Sequence, residues 1–84
     1  MVRLVYFAWV RERIGKPHEV VKLPTGVTDI AGLIDWLATR GEEYAHAFEA
    51  PRTIRAAIDK VHVRHEAAIA GAREIAFFPP MTGG

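Results

Sequence analysis

The stretch Thr28-Asp29-Ile30-Ala31-Gly32-Leu33-Ile34-Asp35-Trp36-Leu37 decides how this chain folds. Thr28 and Asp29 are good helix starters, because their side-chain oxygens can accept from the free amides of a first turn. Ile30, Leu33, Ile34 and Leu37 follow at i, i+3, i+4 and i+7, which is one face of a helix. Gly32 costs about 1 kcal/mol relative to alanine in a helix interior. Burial of the four aliphatic side chains contributes roughly 6–12 kcal/mol gross, so packing outweighs that cost. Gly41 is placed to cap the helix C-terminus, and a second short helix is expected over 42–49.

Such a helix needs a surface to cover, and the flanking segments supply one. Residues 2–10, VRLVYFAWV, are apolar and β-rich and read as a strand. Gly15, Lys16 and Pro17 mark a turn, and 18–23, HEVVKL, reads as the second arm of a hairpin. Residues 54–59, IRAAID, alternate as a strand does, 61–63, VHV, is a short strand, and 73–78, REIAFF, is the last. Hairpin, helix, then further strands is an α+β order. It predicts one main helix packed on one face of a mixed sheet, the ubiquitin-like β-grasp arrangement. The domain is expected over 1–78, with 79–84 as an extended, flexible C-terminal tail.

Alternation also assigns the faces of the sheet. Val2, Leu4, Tyr6, Ile75 and Phe77 are expected to face the helix. Val5, Phe7, Trp9, Arg55, Ala57, Asp59, Ala76 and Phe78 are expected on the open face with Arg3 and Glu74. The apolar members form an exposed patch there, which marks a partner site.

With 84 residues the chain is one small domain. Eleven basic and ten acidic residues give a net charge of +1, without the basic excess of a nucleic-acid binder. The charge is uneven: residues 1–22 carry five basic and two acidic side chains, residues 29–49 five acidic and one basic. No stretch approaches the roughly 18 apolar residues of a membrane span. The N-terminus lacks a signal-peptide layout, and a cytoplasmic location is expected. There is no cysteine, so any sulfur handled here has no side-chain thiol to ride on.

No catalytic constellation is legible. His62, His65 and Glu66 are close in sequence, but i and i+3 on a strand point to opposite faces, so no metal site is expected. Asp29, Asp35, Glu42 and Glu43 lie on or near helices and suit solvated faces and helix N-termini. There is no glycine-rich phosphate loop, so any ATP chemistry must come from another protein.

The tail, Pro79-Pro80-Met81-Thr82-Gly83-Gly84, carries the sharpest functional signal. Two prolines disfavour further sheet pairing and favour an extended exit. Six residues reach roughly 20 Å at about 3.3–3.6 Å each. Gly83 and Gly84 lack side chains and can thread a narrow channel. That design suits a protein that offers its C-terminal carboxylate to another protein's active site.

The segment Ala76-Phe77-Phe78-Pro79-Pro80-Met81-Thr82-Gly83-Gly84 resembles the terminal signature of the small-subunit family of molybdopterin synthase, the MoaD-type sulfur carriers of the ubiquitin-like ThiS/MoaD family. Phe7-Ala8-Trp9-Val10-Arg11-Glu12, with Gly15, is similar to that family's FA-x-x-RE motif, and Ala56-Ala57-Ile58-Asp59 to a third block that usually ends in Asn. His62 also departs, standing where an apolar residue is common, as does Ala70-Gly71-Ala72-Arg73-Glu74, which replaces a more acidic turn.

The resemblance implies a role. Gly84, with Gly83 before it, is the reactive end: an E1-like adenylyltransferase spends ATP to place AMP on the carboxylate. A sulfur donor, such as a cysteine desulfurase or rhodanese, then leaves a thiocarboxylate. Pro79, Pro80, Met81 and Thr82 enter the large synthase subunit, while Phe78, Arg11 and Phe7 contact partners. Two small and two large subunits form a heterotetramer that builds the dithiolene of the molybdenum cofactor. The chain is then no enzyme on its own and binds no cofactor. Carriers for tRNA thiolation, thiamine or cysteine synthesis, protein-conjugating modifiers and non-reactive β-grasp interaction modules remain as alternatives.

Overall fold

The computed structural model describes residues 1–80. Its five strands are β1 (Val2–Tyr6), β2 (His18–Val21), β3 (Arg55–Ile58), β4 (Val61–Val63) and β5 (Glu74–Phe78). They form one mixed sheet in the order β2-β1-β5-β3-β4. β5 lies parallel to β1 and antiparallel to β3; the other neighbouring pairs are antiparallel. Three helices complete it: α1 (Ala8–Ile14), α2 (Ile30–Ala38) and α3 (Glu42–Ala47). The β-grasp expectation therefore holds, with two smaller helices beside the main one.

The expected core face is the observed one. Val2, Leu4, Tyr6, Ile75 and Phe77 are buried together with Ile30, Leu33, Ile34 and Leu37 of α2. Phe77 is fully buried, stacked on Tyr6 at 6.3 Å between ring centroids and edge-on to Phe48 at 5.5 Å.

The start of α2 shows how this helix is held. Asp29 is its N-cap, and the Gly32 amide donates to the Asp29 carboxylate at 2.7 Å. The Ile30 and Ala31 amides donate to the carbonyls of Ala67 and His65, at 3.2 and 2.9 Å. The connection from β4 to β5 thus satisfies amides that a helix start leaves without intrahelical partners. A Cβ on Gly32 would lie 3.0 Å from the capping oxygen of Asp29, which gives this glycine a steric reason to stand inside the helix.

Three expectations are corrected. Strand β1 ends at Tyr6, and residues 8–14 form α1 rather than the end of a longer strand. Ala8 turns the chain with φ of 51°, and Val10 and Ile14, at i and i+4, bury one helical face. Gly15, read as part of a turn, is the left-handed cap of α1 with φ of 88°, its amide donating to the Arg11 carbonyl at 2.8 Å. Gly41 does not end α2; Thr39 is the C-cap, and Gly41 is the N-cap of α3 in extended backbone. The remaining elements agree, trimmed by one or two residues at their ends.

Candidate functional site

β5 is paired on both sides, with Tyr6 opposite Phe77 in β1 and Arg55 opposite Phe78 in β3. The Phe7 amide donates to the Phe77 carbonyl at 3.0 Å, so Phe7 lies beside the end of β5. Phe77 is fully buried, whereas Phe78, one residue on, is half-buried on the opposite face. The chain leaves the sheet at Pro79 and Pro80, which carry no regular secondary structure. Buried Phe77 therefore anchors the root of the tail. Met81, Thr82, Gly83 and Gly84, the other tail residues expected to act, lie outside the described residues.

Three expected contact residues converge on this end of the sheet. Phe7 is 50% exposed, high for so large an apolar side chain. Arg11 is exposed on α1, its amide 3.3 Å from the Phe7 carbonyl. Phe78 packs against the His62 ring at 5.1 Å between centroids.

The open face is narrower than expected. Val5, Ala76, Ala57 and His62 form one cross-strand row. Ala57 is buried in the middle of that row, and Val5 and Ala76 are half-buried. Arg3 and Glu74 lie opposite one another with a 3.9 Å ion pair. Trp9 does not belong to this face: it is in α1, partly buried against the core, with the Arg13 guanidinium 4.4 Å from its ring. Asp59 is not on the face either; it occupies the β3–β4 turn with Lys60, at φ of 47° and 73°. Its carboxylate accepts from the Arg73 and Glu74 amides at 3.1 and 2.9 Å, which fixes where β5 begins.

His62 and His65 have different surroundings. His65 Nε2 donates to the Ile54 carbonyl at 2.7 Å, and His62 faces Phe78. Among the described residues, no three His, Asp or Glu side chains gather as a metal-ligating group.

One cluster went unread in the sequence. Glu19 accepts hydrogen bonds from the Tyr6 and Tyr44 hydroxyls at 2.8 and 2.6 Å, and from the Arg40 guanidinium at 3.1 Å. Lys16 Nζ lies 3.7 Å away. Burial works against ionisation of Glu19, but these donors outweigh it and hold the carboxyl below its ordinary value. Burial, with the carboxylate beside them, pushes both tyrosine hydroxyls up. The signal was available: alternation in β2 places Glu19 on the face of Val21, which is buried. The cluster ties β1, β2 and α3 together, and its role is structural.

Comparison with known proteins agrees with this geometry. The ThiS family model matches residues 4–84. The molybdopterin synthase sulfur carrier subunit of Haemophilus influenzae is 33% identical over 84 residues, covering all of both chains. That of Escherichia coli is 29% identical, again over the whole of both. A third, from Mycosarcoma maydis, is 33% identical over 99% of this chain and 92% of its own. Among solved structures, a putative molybdopterin converting factor subunit 1 from Pyrococcus furiosus superposes with a TM-score of 0.73 at 22% identity, covering 95% of this chain and 97% of that one. Small archaeal modifier protein 1 from H. volcanii gives 0.71 at 20% identity, with the same coverages. These two share the fold. With a tail rooted on a central strand and a family match that runs through Gly84, the chain belongs to the ThiS family and is of the MoaD type.

Proposed function

We propose that this chain is the sulfur carrier subunit of a molybdopterin synthase, and that it carries sulfur as a thiocarboxylate on Gly84. The observation that carries this reading is the end-to-end match to molybdopterin synthase sulfur carrier subunits, within a family match that reaches Gly84. The geometry is consistent with it. A fully paired β5 and buried Phe77 hold the root of the tail.

The chemistry follows from the carboxylate. It is a poor electrophile and requires activation. An E1-like adenylyltransferase supplies ATP; the Gly84 carboxylate attacks the α-phosphate and pyrophosphate leaves. A persulfide sulfur of a desulfurase or rhodanese then attacks the acyl carbon and AMP leaves; a second thiol cleaves the resulting acyl disulfide, is itself oxidised to a disulfide, and releases the thiocarboxylate. The thiocarboxylate sulfur attacks an electrophilic carbon of the pterin precursor held by the large subunit, and water hydrolyses the resulting thioester, leaving the sulfur on the precursor and restoring the carboxylate. This chain supplies the carrier atom and the docking surface, and the catalytic groups belong to its partners. Phe7, Phe78 and Arg11 dock, while Pro79 to Gly83 span the distance to the partner's interior.

Expression in cells lacking their own small synthase subunit tests the role. The full chain restores molybdopterin formation, and a chain lacking Gly84 does not. Restoration by the Gly84-deleted chain would contradict the carrier reading.

A further inference from the structure

The end of the sheet from which the tail departs is chemically divided. Phe7 and Phe78 form its apolar half. Its other half is basic. Arg55 stands opposite Phe78, and Arg64 follows Val63, where the β3–β4 pairing ends, so both lie at this end of the sheet and line one cleft. Arg52, in the 3₁₀ turn Pro51–Thr53 before β3, joins them around a cleft of about 380 Å³ floored by Ile54 and walled by His65. Glu66 is the one acidic side chain in the lining. Arg52, Arg55 and Arg64 are all exposed, and none makes an ion pair among the described residues.

Like charges held close together repel. This chain carries three guanidinium groups around one small cleft although its net charge is only +1. Three guanidinium groups around one cleft favour an anionic occupant, and guanidinium groups pair with carboxylates in bidentate fashion. A nucleic acid fits less well: its phosphates need a long basic track, and the neighbouring surface is apolar around Phe78, opposite Arg55.

We propose that this cleft is the electrostatic half of the docking surface and receives an Asp/Glu-bearing segment of the large synthase subunit, beside the point where the tail enters it. The inference rests on the carrier reading above, because the cleft borders the root of the tail. Phe7 and Phe78 supply apolar contact, and the arginines set orientation and speed of encounter.

The test is the association rate of the large subunit with the full chain, measured by stopped-flow at several salt concentrations. Charge reversal at Arg52, Arg55 and Arg64 together is expected to slow association on the order of ten-fold at low salt and to flatten the salt dependence. The triple glutamine variant should fall between. Lys22→Glu, at the opposite edge of the sheet, should leave the rate unchanged, and circular dichroism checks that each variant folds. A wild-type rate indifferent to salt, or a triple reversal that binds as fast as wild type, overturns the inference. So does tighter binding of bulk tRNA than of the large subunit, if the triple reversal abolishes it. If the unaltered chain fails to bind the large subunit, the inference falls, and the complementation assay then shows separately whether the carrier reading falls with it.

Discussion

At the residue scale, neighbours in sequence have opposite duties. Phe77 is fully buried between Tyr6 and Phe48, and Phe78 faces outward beside His62. Phe77→Ala should cost about 3–5 kcal/mol in urea denaturation, the usual range for a buried aromatic. Phe78→Ala should cost under about 1 kcal/mol in stability, as surface substitutions do. It should weaken binding to the large subunit by more than about 1 kcal/mol, as a hot spot does, in calorimetric titration. The reverse pattern would remove Phe78 from the docking surface. Glu19 offers a pH test. Its folded-state pKa lies below the ordinary 4.5. Its stabilising contribution is therefore complete above about 4.5 and is lost as pH falls through the folded value. Glu19→Gln should cost about 1–3 kcal/mol at neutral pH. In thermal melts, the difference from wild type should shrink as the solution is acidified below pH 4.5. A difference that grows on acidification would contradict the network.

At the element scale, the junction of β1 and α1 is the most informative. Ala8 holds φ of 51°, which costs an L-residue about 1–2 kcal/mol that glycine avoids. Ala8→Gly should stabilise the chain or leave it unchanged, and Ala8→Val should destabilise it by at least about 1 kcal/mol, both read from denaturant midpoints. The same junction shows where the sequence misled. Phe7-Ala8-Trp9-Val10 is apolar and alternates well enough to pass for a strand; the helix is visible only in the i, i+4 pair Val10 and Ile14 and the cap Gly15. By contrast, α2 was legible because cap, stripe and length agreed, and its four stripe residues are all buried. The faces of β1 and β5 were legible because period-two alternation leaves little choice. Trp9 was misplaced on the open face for one reason: the strand was carried past Tyr6. Asp59 was unreadable as a turn residue because its role depends on the Arg73 and Glu74 amides, distant in sequence. Glu19 was missed because its partners Tyr6, Arg40 and Tyr44 meet only in the folded chain.

At the scale of the whole molecule, the fold acts as a handle. The sheet and three helices hold a central strand rigidly, and that strand ends where the tail begins. Every potential contact identified, apolar at Phe7 and Phe78 and basic at Arg55 and Arg64, surrounds that exit. The absence of cysteine gives this layout its consequence: sulfur carried covalently by this chain has no side-chain thiol to ride on, and Gly84 is its proposed position. The most direct test is the intact mass of the chain after co-expression with an E1-like adenylyltransferase and a sulfur donor. The expected product is a species in which one C-terminal oxygen is replaced by sulfur, lost when Gly84 is deleted. An unmodified mass, under conditions that convert an established carrier, would contradict the carrier reading.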